Sequence, residues 1–197
     1  MTLSTVRSFI AVEISKESQE LIRQCQEYLK GANADIKWVD PNNSHLTLKF
    51  LGEISENQIN EVKKALSRVS RHFSVFPFEL SELGGFPSLE KPRTIWIGGK
   101  KGQDKTRQLS EAIKNELIEA GFPKGEHQEF NAHITLGRLR SSHHCSDLIK
   151  ALNEYSIDFP ITQEIDKIIL FKSTLTAKGP IYEPLEGFIL KDSEGKG

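Results

Sequence analysis

The stretch SHLTLKFLGEI (residues 44–54) combines a strand pattern with an uncommon pair of polar residues. Its apolar and polar residues alternate, which is typical of a half-buried β-strand. Because successive side chains in a strand point to opposite faces, His45 and Thr47 share one face, while Leu46 and Leu48 face the predicted core. The stretch therefore predicts a strand that presents an imidazole beside a hydroxyl.

A second copy of this pattern lies in the other half of the chain. The tetrad HITL (133–136) repeats HLTL (45–48), so it predicts a strand with His133 and Thr135 on one face. The composition of the chain makes a chance match at all four positions improbable, and such self-similarity indicates two related structural units.

Together the tetrads supply groups that suit a phosphodiester. If the two strands face each other across a cleft, the site contains two imidazoles that titrate near neutral pH and two hydroxyl donors. One imidazole can act as a base and the other as an acid, each contributing on the order of 10²- to 10⁴-fold. A lone histidine in a strand is as easily structural as functional, but the pair favours catalysis.

The rest of the chain alternates predicted strands and helices without a low-complexity linker. Helices are expected at 16–30, 55–71, near 103–120 and near 145–155, and Ser15 and Ser55 are placed to cap the first two. Strands are expected at 6–14, 36–40, 45–54, 76–86, 93–99, 130–139, 164–175 and 182–190. This order predicts one α+β domain over residues 1–197 with mainly antiparallel strands and a loose tail at 191–197.

Composition limits the classes of protein that the chain can belong to. A length of 197 residues suits one domain of two lobes, and a formal net charge of −1 argues against bulk electrostatic binding to nucleic acid. Any contact with RNA must therefore be local. With no apolar stretch long enough to span a membrane and only Cys25 and Cys145, interpreted as two thiols, we expect a cytoplasmic protein.

The sequence resembles the 2H phosphoesterase superfamily, and within it the RNA 2′,3′-cyclic phosphodiesterases, also called 2′-5′ RNA ligases. The similar segments are RSFIAVEI (7–14), KWVDPNNSHLTLKFLGEI (37–54), PFELSELGGFPSLEKPRTIWIG (77–98), FNAHITLGRLRS (130–141) and STLTAKGPIYEPLEGFIL (173–190). The resemblance implies a bilobed fold, in which two pseudo-symmetric lobes of mainly antiparallel sheet line a central cleft and the helices lie outside.

The resemblance also implies an activity and its residues. A terminal 2′,3′-cyclic phosphate on RNA would be opened to a 2′-phosphomonoester without a metal or an organic cofactor. His45 would be the general acid for the departing 3′ oxygen, and His133 the general base that activates water. Thr47 and Thr135 would bind the phosphate oxygens. The implied partner is RNA or a nucleotide with a terminal 2′,3′-cyclic phosphate, and we expect a monomer.

Two further substrate-binding candidates come from the resemblance, and both raise a question of geometry. Arg138 resembles a family arginine at the phosphate, where it would act as a charge-assisted clamp. Strict alternation from His133 places Arg138 on the opposite face, so this role predicts a twist, bulge or strand end near Gly137. Strict alternation likewise places Phe50 on the face opposite to His45. The sequence leaves two alternatives for Phe50, a position near the ligand and a position in the core.

Other interpretations remain at this stage. The same site could act on ADP-ribose cyclic phosphate or on 2′-5′ RNA linkages, and a non-catalytic module that binds RNA ends is a third possibility. The run RSSHHCSD (140–147) is interpreted as an exposed polar loop rather than a metal site, because no second cluster has suitable spacing. Four aromatic residues are candidates for stacking on a base, although packing is favoured for each: Trp38, Phe86, Trp96 and Tyr182.

Overall fold

The structure is a computed structural model that describes residues 5–124, 130–177 and 179–192. Its helices are α1 (Lys16–Lys30), α2 (Glu56–His72), α3 (Gln103–Glu119) and α4 (Cys145–Glu154). Its strands are β1 (Thr5–Glu13), β2 (Ile36–Trp38), β3 (His45–Ser55), β4 (Phe76–Leu80), β5 (Glu82–Phe86), β6 (Thr94–Gly98), β7 (Ile134–Leu139), β8 (Ile161–Ile165), β9 (Lys167–Thr176) and β10 (Gly179–Ile189).

Two four-stranded sheets carry the two tetrads. The first sheet has the strand order β10-β9-β1-β3, and the second has the order β2-β7-β6-β5, while β4 and β8 form a separate pair. Every pair of these strands is antiparallel. The predicted α+β fold with mainly antiparallel strands is therefore confirmed.

The helices lie against the outer sides of the sheets and begin where the sequence predicts. The hydroxyl of Ser15 accepts a hydrogen bond from the backbone N–H of Ser18 at the start of α1. Ser55 and Gln58 form a reciprocal capping box at the start of α2, which contacts β3, β9 and β10. Within the described ranges, no helix has the length and apolarity needed to cross a membrane.

One continuous buried core is formed by residues of both sheets and of all four helices. Leu46 and Leu48 of the first tetrad are 1% and 3% exposed, and Ile134 and Leu136 of the second are both fully buried. These four side chains occupy the core face, as the alternation predicts. That residues 1–197 form a single domain stays a prediction.

The segment 76–86 is two strands rather than the one strand predicted. β4 pairs with β8, whereas β5 pairs with β6, and the break falls at Ser81, whose N–H donates to the carbonyl of Gly98 (2.7 Å). β8 itself was missed, because its buried inward position is occupied by the polar residue Gln163, and the apolar alternation that signals a strand is lost.

The end of the chain also differs in part from the expectation. Lys191, assigned by sequence to a loose tail, donates its N–H to the carbonyl of Phe73 (2.8 Å) and accepts from the N–H of Val75 (2.9 Å). This backbone pairing fixes the chain through Lys191, so the prediction was wrong for that residue. Residues 193–197 of the predicted tail lie outside the described residues.

Candidate functional site

The imidazole of His45 is held by its own backbone. His45 is the first residue of β3, and its Nδ1 lies 3.0 Å from the carbonyl oxygen of Asn43. A carbonyl only accepts, so Nδ1 must carry the proton in this contact. That tautomer leaves Nε2, which has no hydrogen-bond partner among the described residues, as the nitrogen that can accept or return a proton.

The same arrangement holds His133. Its Nδ1 lies 2.7 Å from the carbonyl oxygen of Asn131, again two residues earlier. The intervening Ala132 is fixed by Gln103, whose side chain donates to the Ala132 carbonyl (2.7 Å) and accepts from the Ala132 N–H (3.0 Å). The repeated asparagine at this position extends the similarity of the tetrads by one residue, a signal that the sequence interpretation did not use.

A β-bulge follows the first tetrad. Thr47 pairs with Ala11, but the next pair on β1 joins Ile10 to Lys49, which leaves Leu48 as an extra residue. Because of the bulge, each side chain after Leu48 points to the face opposite to the one that strict alternation predicts. Lys49 therefore lies opposite the core residue Ile10, whereas strict alternation would place it on the face of His45.

A bulge at the equivalent position follows the second tetrad. Thr135 pairs with Trp96, while Gly137 pairs with Ile95, so Leu136 is the extra residue. Arg138, one residue further, pairs with Thr94, and its Nη1 donates to the Thr94 hydroxyl (3.1 Å). The irregularity predicted near Gly137 is thus present, and it returns Arg138 to the face of His133 and Thr135.

The first bulge places Phe50 on the face of His45, as the second bulge places Arg138 on the face of His133. This residue pairs with Phe9 and the two rings lie 6.1 Å apart between centroids. Phe50 is 66% exposed, so of the two positions left open by the sequence the structure selects the exposed one. Phe50 and Arg138 each lie five residues after a tetrad histidine, and both reach the same face as that histidine.

Aromatic rings surround His45. The centroid of its ring lies 4.7 Å from Phe9, 5.1 Å from Tyr182 and 6.5 Å from Phe171. Burial among these rings lowers the pKa of His45 below its ordinary value, and the hydrogen bond to Asn43 offsets part of that decrease. Neutral imidazole is therefore favoured in the unliganded protein.

His133 has a comparable environment. Phe86 contacts it edge to face at 4.8 Å, and Trp96 lies 6.3 Å away. Burial lowers the pKa of His133, the hydrogen bond to Asn131 raises it in part, and the positive charge of Arg138 lowers it further. Both tetrad histidines thus combine a fixed tautomer with a reduced affinity for the proton.

Arg138 connects the two halves of the site. Burial raises the pKa of Tyr182, and the charges of Arg138 and Arg7 act in the opposite direction. Arg138 therefore lies within electrostatic range of both His133 and Tyr182, and Tyr182 contacts His45. β3 also contacts β7, so the two strands that carry the tetrads adjoin.

The hydroxyls of the tetrads remain available for hydrogen bonding. Thr47 and Thr135 are half-buried, and neither hydroxyl has a hydrogen-bond partner in the described part of the chain. The faces of the two tetrads thus present two imidazole nitrogens and two hydroxyls, and Arg138 adds a guanidinium to the second face. This set can bind an anion and transfer protons on both sides of it.

Other sequence candidates lie outside this arrangement. His144 pairs with Asp147 at the start of α4 (2.7 Å). The exposed polar loop predicted at 140–147 is present at 140–144, whereas residues 145–147 belong to α4. Trp38 packs against the core, while Phe86, Trp96 and Tyr182 contact the tetrad histidines. In the described ranges no group of three or more His, Cys, Asp or Glu could hold a metal ion.

Comparison with known proteins gives a consistent result. The family of LigT-like phosphoesterases matches twice, over residues 12–96 and 97–182, one match for each half. The RNA 2′,3′-cyclic phosphodiesterase of Thermotoga maritima is 36% identical over 181 residues, which cover 91% of this chain and 93% of the relative.

Solved structures share the fold over nearly the whole chain. A protein of Thermus thermophilus is 26% identical with a TM-score of 0.75, and the match covers 95% of this chain and 99% of that one. E. coli LigT complexed with 3′-AMP is 23% identical with the same TM-score, covering 96% and 100% of the two chains. Each of the two matched segments contains one of the repeated tetrads.

Proposed function

This chain belongs to the LigT-like phosphoesterase family, and from that premise we propose that it is an RNA 2′,3′-cyclic phosphodiesterase. It hydrolyses a terminal 2′,3′-cyclic phosphate on RNA to a 2′-phosphomonoester. The observation that carries the proposal is the matched pair of histidines, each tied through Nδ1 to the carbonyl two residues earlier. In the proposed mechanism both Nε2 atoms act on one bound phosphate.

The catalytic cycle uses one histidine on each side of phosphorus. Nε2 of His133 removes a proton from water as the water oxygen bonds to phosphorus, and Nε2–H of His45 protonates the 3′ oxygen as its bond to phosphorus breaks. One P–O bond forms and one breaks, so the product is a 2′-phosphomonoester with a free 3′ hydroxyl. Proton exchange with solvent then restores neutral His133 and protonated His45.

The remaining groups hold the phosphate and the nucleotide. Thr47 and Thr135 donate to the non-bridging oxygens, and Arg138 adds a charge-assisted hydrogen bond where negative charge increases in the transition state. Phe50, exposed on the same face as His45, provides a surface for stacking of the terminal base. The enzyme works as a cytoplasmic monomer on RNA ends or nucleotides with a 2′,3′-cyclic phosphate.

The direct test is incubation of purified protein with a short RNA that ends in a 2′,3′-cyclic phosphate, in the presence of EDTA. Because the proposed proton transfers and phosphate contacts use only side chains, we expect full activity in the chelator and a product with a 2′-phosphate. Chromatography against 2′- and 3′-phosphate standards identifies the product. Loss of activity in EDTA that added metal restores would contradict the mechanism.

The pH dependence follows from the environment of the two histidines. Catalysis needs one neutral and one protonated imidazole, so the rate should pass through a maximum between the two apparent pKa values of the histidine pair. Burial lowers the pKa of both His45 and His133, so kcat/KM, which reports the free enzyme, should be maximal on the acidic side of about 6.5. Activity then falls below the pKa of the base and above that of the acid.

The bound phosphate shifts this profile in a defined direction. Its negative charge favours the protonated imidazole, so the alkaline limb of kcat should lie at higher pH than that of kcat/KM. Steady-state kinetics from pH 5 to 9 separates the two parameters. Identical flat profiles for both, with chemistry rate-limiting, would contradict the paired assignment.

A further inference from the structure

One row of residues on the cleft face of the first sheet has no role in the proposed chemistry. Ser8 pairs with Lys172 and Phe9 with Phe171, so continuing this register by one residue places Arg7 across from Ser173. Ser173 in turn pairs with Tyr182. Arg7, Ser173 and Tyr182 therefore form a row across three strands.

The row faces the cleft. Side chains alternate along β1, so Arg7 shares the face of Phe9, whose ring lies 5.0 Å from that of Tyr182. In this row the small side chain of Ser173 stands between Arg7 and the tyrosine. The row carries a guanidinium and two hydroxyls, and all three groups can donate hydrogen bonds to phosphate oxygens.

The charge in this row is uncompensated. Arg7 is exposed and makes no ion pair within the described ranges, although Glu53 is its partner residue on β3. Its charge and that of Arg138 both act on Tyr182. Neither Arg7 nor Arg138 forms an ion pair within the described ranges, and the tyrosine on which both charges act itself contacts His45.

We propose that Arg7, Ser173 and Tyr182 bind the phosphate carried on the 5′ oxygen of the terminal ribose. This inference rests on the proposed function, since it takes the cyclic phosphate to lie between His45 and His133. The site would make the enzyme prefer a cyclic phosphate that is followed, toward the 5′ end, by a further phosphate ester.

Two substrates carry such a group, and the surface favours one of them. The 5′ phosphate belongs to the internucleotide phosphodiester in RNA and to the diphosphate in ADP-ribose cyclic phosphate. Beyond Ser173 and Tyr182 the same face continues with the paired residues Leu175, which is 67% exposed, and Pro180. An apolar surface one step past the phosphate site suits the base of the preceding nucleotide, so we assign the site to RNA.

The test compares kcat/KM for three substrates: adenosine 2′,3′-cyclic phosphate without a 5′ phosphate, the dinucleotide ApA with a 2′,3′-cyclic phosphate, and ADP-ribose 1″,2″-cyclic phosphate. In the wild-type protein the dinucleotide should exceed the mononucleoside by about 10- to 100-fold, the range expected for a hydrogen bond to a charged group. Arg7→Ala should reduce this ratio of kcat/KM values, dinucleotide over mononucleoside, by a similar factor. A higher salt concentration should reduce the ratio in the wild-type protein but not in Arg7→Ala.

Two further variants make the result decisive. Ser173→Asp places a negative charge between Arg7 and Tyr182 and should also reduce the ratio, independently of any folding defect in Arg7→Ala. Arg71→Ala removes an exposed arginine at the end of α2 and should leave the ratio unchanged. Circular dichroism confirms that each variant is folded.

The outcomes separate this inference from the proposed function. A ratio unaffected by both Arg7→Ala and Ser173→Asp, with all cyclic phosphates still hydrolysed, would overturn the 5′ phosphate site alone. ADP-ribose cyclic phosphate exceeding the dinucleotide, with loss in Arg7→Ala, would overturn the assignment to RNA. No hydrolysis of any of the three substrates by the wild type would overturn the proposed function.

Discussion

Replacing His45 or His133 by alanine is expected to lower kcat for an RNA 2′,3′-cyclic phosphate by on the order of 10²- to 10⁴-fold. Each variant removes one proton-transfer group, and in each half the neighbouring tetrad threonine and the bulge remain in place. KM should change much less than kcat, because the phosphate is held mainly by Thr47, Thr135 and Arg138. Rates measured by product chromatography, with circular dichroism to verify folding, test this expectation.

His72 provides a matched control. Its Nδ1 contacts the carbonyl of Arg68 (2.8 Å), much as those of the tetrad histidines contact their carbonyls, but it lies at the exposed end of α2. His72→Ala should keep the wild-type rate within about twofold, as expected of a surface change. Near-normal turnover in folded His45→Ala or His133→Ala would remove that residue from the mechanism.

A substrate with sulfur in place of the 3′ oxygen separates the two roles. A thiolate leaves without being protonated far more readily than an alkoxide, so such a substrate needs no general acid. It should restore much of the lost rate in His45→Ala, while His133→Ala should stay slow because water is still not activated. Rescue of His133→Ala instead would reverse the assignment of acid and base.

Local sequence signals predicted the elements that local interactions determine. Ser15 and Ser55 mark the beginnings of α1 and α2, because a hydroxyl that accepts from the first turn of a helix is a short-range contact. The faces of the tetrad residues were also predictable, because the alternation of buried leucines with His45 and Thr47 follows from the two-residue period of a strand. The repeat then indicated that the two halves build one site.

Features that depend on pairing between distant strands could not be predicted from local sequence patterns. The break at Ser81 follows from the different partners of β4 and β5, which no local pattern specifies. The extra residues Leu48 and Leu136 likewise exist only relative to β1 and β6. Simple alternation therefore misplaced Lys49 and left the face of Phe50 open, although the need for a bulge near Gly137 could be inferred from the role expected of Arg138.

Replacing Arg138 by alanine is expected to lower kcat/KM by about 10²- to 10³-fold, comparable to the loss of one donor to a developing negative charge. The bulge at Leu136 directs this side chain into the cleft, where no carboxylate of the described residues pairs with it. Arg138→Lys should recover only part of the rate, because an ammonium keeps the charge but not the planar fork of donors. Steady-state kinetics on the RNA substrate measures both effects.

A second readout distinguishes this role from a structural one. The charge of Arg138 lowers the pKa of His133, so Arg138→Ala should raise that pKa while Arg138→Lys largely preserves it, and NMR titration of the imidazole detects the difference. Arg140, also exposed and two residues later, is the matched control, and Arg140→Ala should change neither the rate nor the titration. Full activity of Arg138→Ala with an unchanged His133 titration would place the guanidinium outside the site and would leave the bulge at Leu136 without the function assigned to it.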